Sequence, residues 1–153
     1  MSEPIPALRR TAFLLTLAGA LPFIGLVIAM AVLDPPTNAT AGLWLQTYAA
    51  VILSFLGGAR WGMAVTTASG TAAATLGVSV LVALGGWVIL PPAIILMPGP
   101  VWYLVYAVLF ALQFGWDWTS STVPTWFKPA RLWASILVIA SLTAAWAIHA
   151  YGL

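Results

Sequence analysis

The sequence has no cysteine, a single histidine and very little charge: 5% of its 153 residues are Asp, Glu, Lys or Arg. Without cysteine there is no disulfide, no thiolate nucleophile and no Cys-ligated metal. With His149 alone, one chain cannot build a histidine cage, so no metal and no other cofactor is expected. Three acids, Glu3, Asp34 and Asp117, are widely separated and offer no carboxylate pair for acid–base catalysis within the apolar segments. Five basic residues are too few for a nucleic-acid surface. A soluble domain carries about a quarter charged residues. A chain this poor in charge cannot clothe a water-facing surface, and its natural solvent is a lipid bilayer.

What the sequence has is apolar length, with 63% of residues hydrophobic. A helical crossing takes about 20 residues. Five stretches qualify, at about 11–33, 42–65, 72–90, 101–118 and 130–151. The fold class predicted is therefore all-α, a single integral membrane domain of five transmembrane helices over residues 1–153. Breakers separate the spans: Asp34-Pro35-Pro36-Thr37-Asn38, Thr66–Gly70, Pro98-Gly99-Pro100 and Thr119–Pro129. Pro22 should kink the first span. The short Ala93–Met97 segment, after Pro91-Pro92, should lie in the interface or extend the third helix past a kink. No internal repeat is visible. Arg9-Arg10 followed by an apolar run and Ala18-Gly19-Ala20 also fits a signal peptide, but cleavage there would leave the first span too short to cross. Asn38-Ala39-Thr40 matches a glycosylation sequon in a short loop and is expected to go unused.

Five crossings place Arg9, Arg10, Lys128 and Arg131 on one side and no Lys or Arg on the other. Positive charge favours the cytoplasmic side, so the N-terminus is predicted cytoplasmic, or matrix-facing in an organelle, and the C-terminus opposite. Trp61, Trp116, Trp118 and Trp126, with Trp133, read as an aromatic belt at the basic interface.

Arg60 breaks this pattern. It sits inside Val51–Val65, and a guanidinium within a span costs about 2.5 kcal/mol or more unless it is compensated. Spans two and four run in the same direction. Arg60, eighteen residues after Gly42, lies about 27 Å along its helix, and Asp117, sixteen after Val101, about 24 Å along its own. The two are level. Either they pair, or each snorkels to the nearby headgroups. Helical phase puts Tyr106, Gln113 and Asp117 on one face of span four, and Gln46, Leu53, Gly57 and Arg60 on one face of span two. Facing each other, these rows would line a polar ligand seam or simply hydrogen-bond between helices. The opposite face of span two carries Ala50, Ser54, Gly58 and Gly62, a small-residue ridge for close packing of a helix from this chain or another.

The block Ile52-Leu53-Ser54-Phe55-Leu56-Gly57-Gly58-Ala59-Arg60-Trp61-Gly62 resembles the core motif of the TMEM69-like membrane proteins of bacteria and mitochondria, whose function is unknown. Leu17-Ala18-Gly19-Ala20-Leu21-Pro22-Phe23, Trp87, Asp117 and Pro124-x-Trp126-Phe127 with Arg131-Leu132 are similar to further family features, while Thr16 and Ala130 depart from the usual glycine and leucine. The resemblance implies a small multi-pass protein of a bacterial inner membrane, or of the mitochondrial inner membrane, without an assigned activity. The expected function is a non-enzymatic structural or assembly module organised around Arg60 and Asp117. Its partners would be the bilayer and other membrane subunits or further copies of itself. The alternative is a carrier or binder of a small lipophilic or ionic ligand (quinone, lipid or proton) in the seam of Arg60, Asp117, Gln113, Tyr106 and Gln46.

Overall fold

A computed structural model describes residues 6–66 and 72–152. Six α-helices follow one another: α1 Pro6–Ala18, α2 Leu21–Val32, α3 Thr37–Thr66, α4 Ala72–Pro91, α5 Val101–Thr119 and α6 Lys128–Tyr151. There is no strand among the described residues. Of the separator expected at Thr66–Gly70, only Thr66 lies within the described residues, where it ends α3; Glu3 also lies outside them.

The proline chemistry acts where it was expected. Pro22 has no N–H to give the carbonyl four residues back, and α1 stops at Ala18 before α2 starts at Leu21. The break exposes the Gly19 carbonyl, which accepts the Tyr48 hydroxyl of α3 at 3.0 Å. Pro91-Pro92 passes α4 into a π-helical turn, Pro92–Leu96, closed by the Met97 N–H on the Pro92 carbonyl at 2.9 Å. Ala93–Met97 thus largely prolongs the third apolar segment. A 3-10 turn, Thr125–Phe127, leads into α6. The second span begins earlier than predicted. Thr37 and Asn38, expected as part of the breaker, and residues 39–41, expected ahead of the span, already belong to α3, whose first turn returns the Asn38 N–H to the Asp34 carbonyl.

Among the described residues, four segments are long and apolar enough to cross a membrane: Pro6–Val32, Thr37–Thr66, Ala72–Leu96 and Thr125–Tyr151. Large apolar side chains stand exposed on all six helices, among them Leu14, Ile28, Phe55, Leu81, Leu112 and Trp133. A water-soluble protein does not display such patches over its whole circumference. This is a membrane-embedded helical bundle.

α3 is its centre, packed against α2, α4 and α5, while α6 lies against α5, α2 and α1. Phe23, Leu53, Tyr106 and Leu142 are fully enclosed at the waist, with Phe23 edge-on to Phe110 at 5.6 Å between ring centroids. Lipid tails are as apolar as these side chains, so close packing, not escape from water, holds such helices together. The tightest approach is α3 on α4. A Cβ on Gly57 would fall 2.5 Å from the Ser79 carbonyl oxygen, and the Ser54 hydroxyl donates to the Ala83 carbonyl at 3.3 Å. The small-residue ridge predicted at Ala50, Ser54, Gly58 and Gly62 is divided within the chain. Ala50 and Ser54 face α4, but the row turns to Gly57, and a Cβ on Gly58 or Gly62 would meet nothing within 4 Å among the described residues.

Candidate functional site: a two-arginine slot at the basic end

α1 and α6 begin, and α3 and α5 end, at one end of the bundle, which gathers Arg9, Arg10, Arg60, Lys128 and Arg131. Arg60 is not turned out to solvent. It is 3% exposed, and Asp117 is 5% exposed.

The short contacts to Asp117 come from Arg131, one turn into α6. Its Nε and Nη2 both donate to Asp117 Oδ2, at 2.9 and 2.6 Å. Gln113, one turn back on α5, donates Nε2 to Asp117 Oδ1 at 3.1 Å. Arg60 is the looser partner: its Nε stands 3.8 Å from Asp117 Oδ1, too far for a hydrogen bond. The Arg60 guanidinium is secured by neutral groups. Nη1 donates to Ser120 Oγ at 2.9 Å and to Thr122 Oγ1 at 3.1 Å, and the plane covers the Trp116 ring with Cζ 4.1 Å from its centroid. Ser120 and Thr122 belong to the α5–α6 connection, which folds back over the end of α3 and buries Val123. Lys128 fastens the same turn by donating to the Trp118 carbonyl at 2.6 Å.

The expected Arg60–Asp117 pair is thus a three-member centre, with Arg131 as the hydrogen-bonded member. Two guanidiniums meet one carboxylate, and the excess is positive. Arg60 Nε and Gln113 Oε1 are buried without a hydrogen-bond partner. Beside Arg60 lies a cavity of about 280 Å³, near the lower limit of small-molecule sites, about 300 Å³. Its wall is apolar, from Leu56, Phe110 and Val138 among others, and Arg60, Asp117 and Arg131 are its charged rim. Ile52 and Arg60 both line it, so it follows α3 for about 12 Å toward the waist. A cavity with two arginines at one end and hydrocarbon at the other suits an acidic head on an apolar body, and its excess positive charge repels metal cations.

The five-residue seam expected from helical phase is divided. Arg60, Asp117 and Gln113 meet at the basic end. Tyr106 is held at the waist, its hydroxyl donating to the Gly86 carbonyl of α4 at 3.1 Å. Gln46 belongs to a separate pocket at the opposite end, beside Tyr103 and His149. The tryptophans split too. Trp61, Trp118 and Trp133 are exposed, whereas Trp116 is partly buried under Arg60 and Trp126 lies partly buried near Arg9, whose Cζ is 5.8 Å from its ring centroid. Arg131, Ser120 and Thr122 were missed as site residues. In the sequence, Arg131 reads as a topological charge and as part of the family resemblance, and the hydroxyls as loop.

A family model described as "Protein of unknown function (DUF3429)" matches residues 8–147. The chain belongs to the DUF3429 family. The match takes in every residue of the two-arginine centre and most of the bundle. No curated protein and no solved structure matches the chain.

Proposed function

We propose that this DUF3429 protein crosses the bilayer five times and binds a small amphipathic anion in the slot beneath Arg60 and Arg131. The observation that carries the proposal is an apolar cavity closed at one end by two guanidiniums, the buried Arg60 and the partly buried Arg131, that share one carboxylate, with Arg60 Nε unsatisfied. The acidic head sits between the arginines, and the tail lies along Leu56, Phe110 and Val138. α5 makes the fifth crossing: Tyr103, Tyr106, Gln113 and Asp117 are all buried, leaving Val101, Val108 and Leu112 for lipid. All five Lys and Arg gather at one end, which supports a cytoplasmic or matrix location for that end and for the N-terminus. The resemblance to TMEM69-like proteins supports a bacterial inner membrane or the mitochondrial inner membrane.

The test is binding of oleate and of oleyl alcohol to the protein in phosphatidylcholine nanodiscs. A hydrogen bond to a charged group is worth about 1.5–3 kcal/mol, so Arg60→Gln should weaken oleate by roughly 10- to 150-fold and leave oleyl alcohol unchanged. Arg60→Lys should rescue part of the loss, having the charge without the planar fork. Unchanged oleate binding by well-folded Arg60→Gln contradicts the proposal.

A second reading, a non-enzymatic subunit or assembly module of a larger membrane complex, draws on a different feature. Gly58 and Gly62 leave a shallow lane on α3 that no helix among the described residues fills. Such lanes admit a neighbouring helix. Recovery of a solitary chain after mild extraction and in-membrane crosslinking contradicts this reading.

A further inference from the structure

The Asp34 end of the bundle holds a second pocket, of about 500 Å³, independent of the arginine slot. Met30, Leu43 and Ile148 supply apolar wall, and the π-helical turn after Pro91 contributes Ala93 and Ile94. π-helical turns recur at functional sites because they displace side chains from the regular helical surface. The polar side chains are Asn38, Gln46, Tyr103 and His149. Tyr103 is fixed by close packing on α3: a Cβ on Gly42 would come within 2.5 Å of its hydroxyl. The His149 ring stands 6.0 Å from the Tyr103 ring, tilted by 59°. Gln46 is 6% exposed, and its carbonyl oxygen Oε1 has no hydrogen-bond partner. Buried acceptors left empty are rare in folded proteins, and one lining a pocket is the natural receptor for a ligand's donor.

We propose that this pocket binds a neutral amphiphile through a hydroxyl donated to Gln46 Oε1. Neutrality follows from the lining, which among the described residues contains no Lys, Arg, Asp or Glu. An acidic head would find no cation among them, and an ammonium no carboxylate. The imidazole of His149 serves the same hydroxyl as a second donor or acceptor at the rim. The apolar body lies against Met30, Ile94 and Ile148. The hydroxyl could be carried by a planar lipophilic phenol or by a glycerolipid.

The experiment measures binding of two alcohols to wild-type protein in phosphatidylcholine nanodiscs, each against its methyl ether: 4-hexylphenol and 1,2-dioctanoylglycerol. A buried neutral hydrogen bond is worth roughly a 2- to 10-fold preference, so at least one alcohol should exceed its ether by that factor. The alcohol that does so identifies the source of the hydroxyl. Gln46→Met, similar in shape and apolar, should bring the preference below about 2-fold while ether binding stays constant. The preference should persist when the arginine slot is saturated with oleate, which separates this site from the first. Equal binding of alcohols and ethers, no binding of either alcohol, or an undiminished preference in Gln46→Met overturns the proposal. The alcohol–ether comparison uses wild-type protein and decides the matter even if the variant fails to accumulate.

Discussion

The two ends of this bundle bury polar groups by different means. At the basic end a carboxylate on α5 is hydrogen-bonded by Arg131 of α6, approached by Arg60 of α3 and steadied by Gln113. Ser120, Thr122 and Trp116 complete the enclosure. At the Asp34 end the buried groups are neutral, and Gln46 keeps an unsatisfied oxygen. Between the two, Phe23, Leu53, Phe110 and Leu142 form an apolar waist, and Tyr106 has its hydroxyl engaged on Gly86. The difference teaches where stability and recognition reside. A buried charge demands partners from several helices and locks them together. A buried amide can wait for a ligand at modest cost.

The contrast breaks most sharply at Asp117. Asp117→Asn leaves two guanidiniums without a counter-charge and should lower stability by about 3–5 kcal/mol, read from unfolding in mixed micelles. A loss below about 1 kcal/mol would mean that the arginines are solvated independently, as exposed ion pairs are. Next comes the α3–α4 contact. Gly57→Ala drives a Cβ into the Ser79 carbonyl and should cost about 1–3 kcal/mol, whereas Gly58→Ala, with open space, should be neutral or gain up to about 1 kcal/mol from helix propensity. Equal effects at the two glycines would refute the packing described. Tyr48→Phe removes the hydroxyl that caps the Gly19 carbonyl and should cost about 0.6 kcal/mol, typical of a hydrogen bond between membrane helices. At the neutral end, Gln46→Met should change stability least, by about 0.5 kcal/mol or less, since Gln46 Oε1 has no hydrogen bond to lose.

Much of the fold was legible because lipid imposes simple rules. Long apolar runs and prolines located the helical segments, and charge gathered at one end of the chain's threading. The start of α3 was missed because Thr37 and Asn38 favour turns in isolation, whereas here Asp34 and Pro36 carbonyls accept the N–H groups of the first turn. Gly57 and Gly58 are chemically identical neighbours about 100° apart around the helix, and only the position of α4 distinguishes them. Gln46 and Arg60 share a face of α3 but lie fourteen residues apart, about 21 Å of helix. Periodicity reports a common face; it does not report that an apolar waist cuts the face into two sites. Arg131 was hidden for another reason. Counting Lys and Arg for topology treats each as a charge in a loop, while the tight α5–α6 connection turns this one back toward Asp117.

The most direct measurement of the central claim is native mass spectrometry of the protein released from its own membrane in lipid nanodiscs, alongside Arg60→Gln. The expected result is one acidic amphiphile, whether a lipid or a fatty acid, retained by the wild-type chain at one per protein and lost from the equally well-folded variant. Recovery of the wild-type chain bare, or with the same adducts as Arg60→Gln, would contradict the assignment of the arginine slot as an anion site.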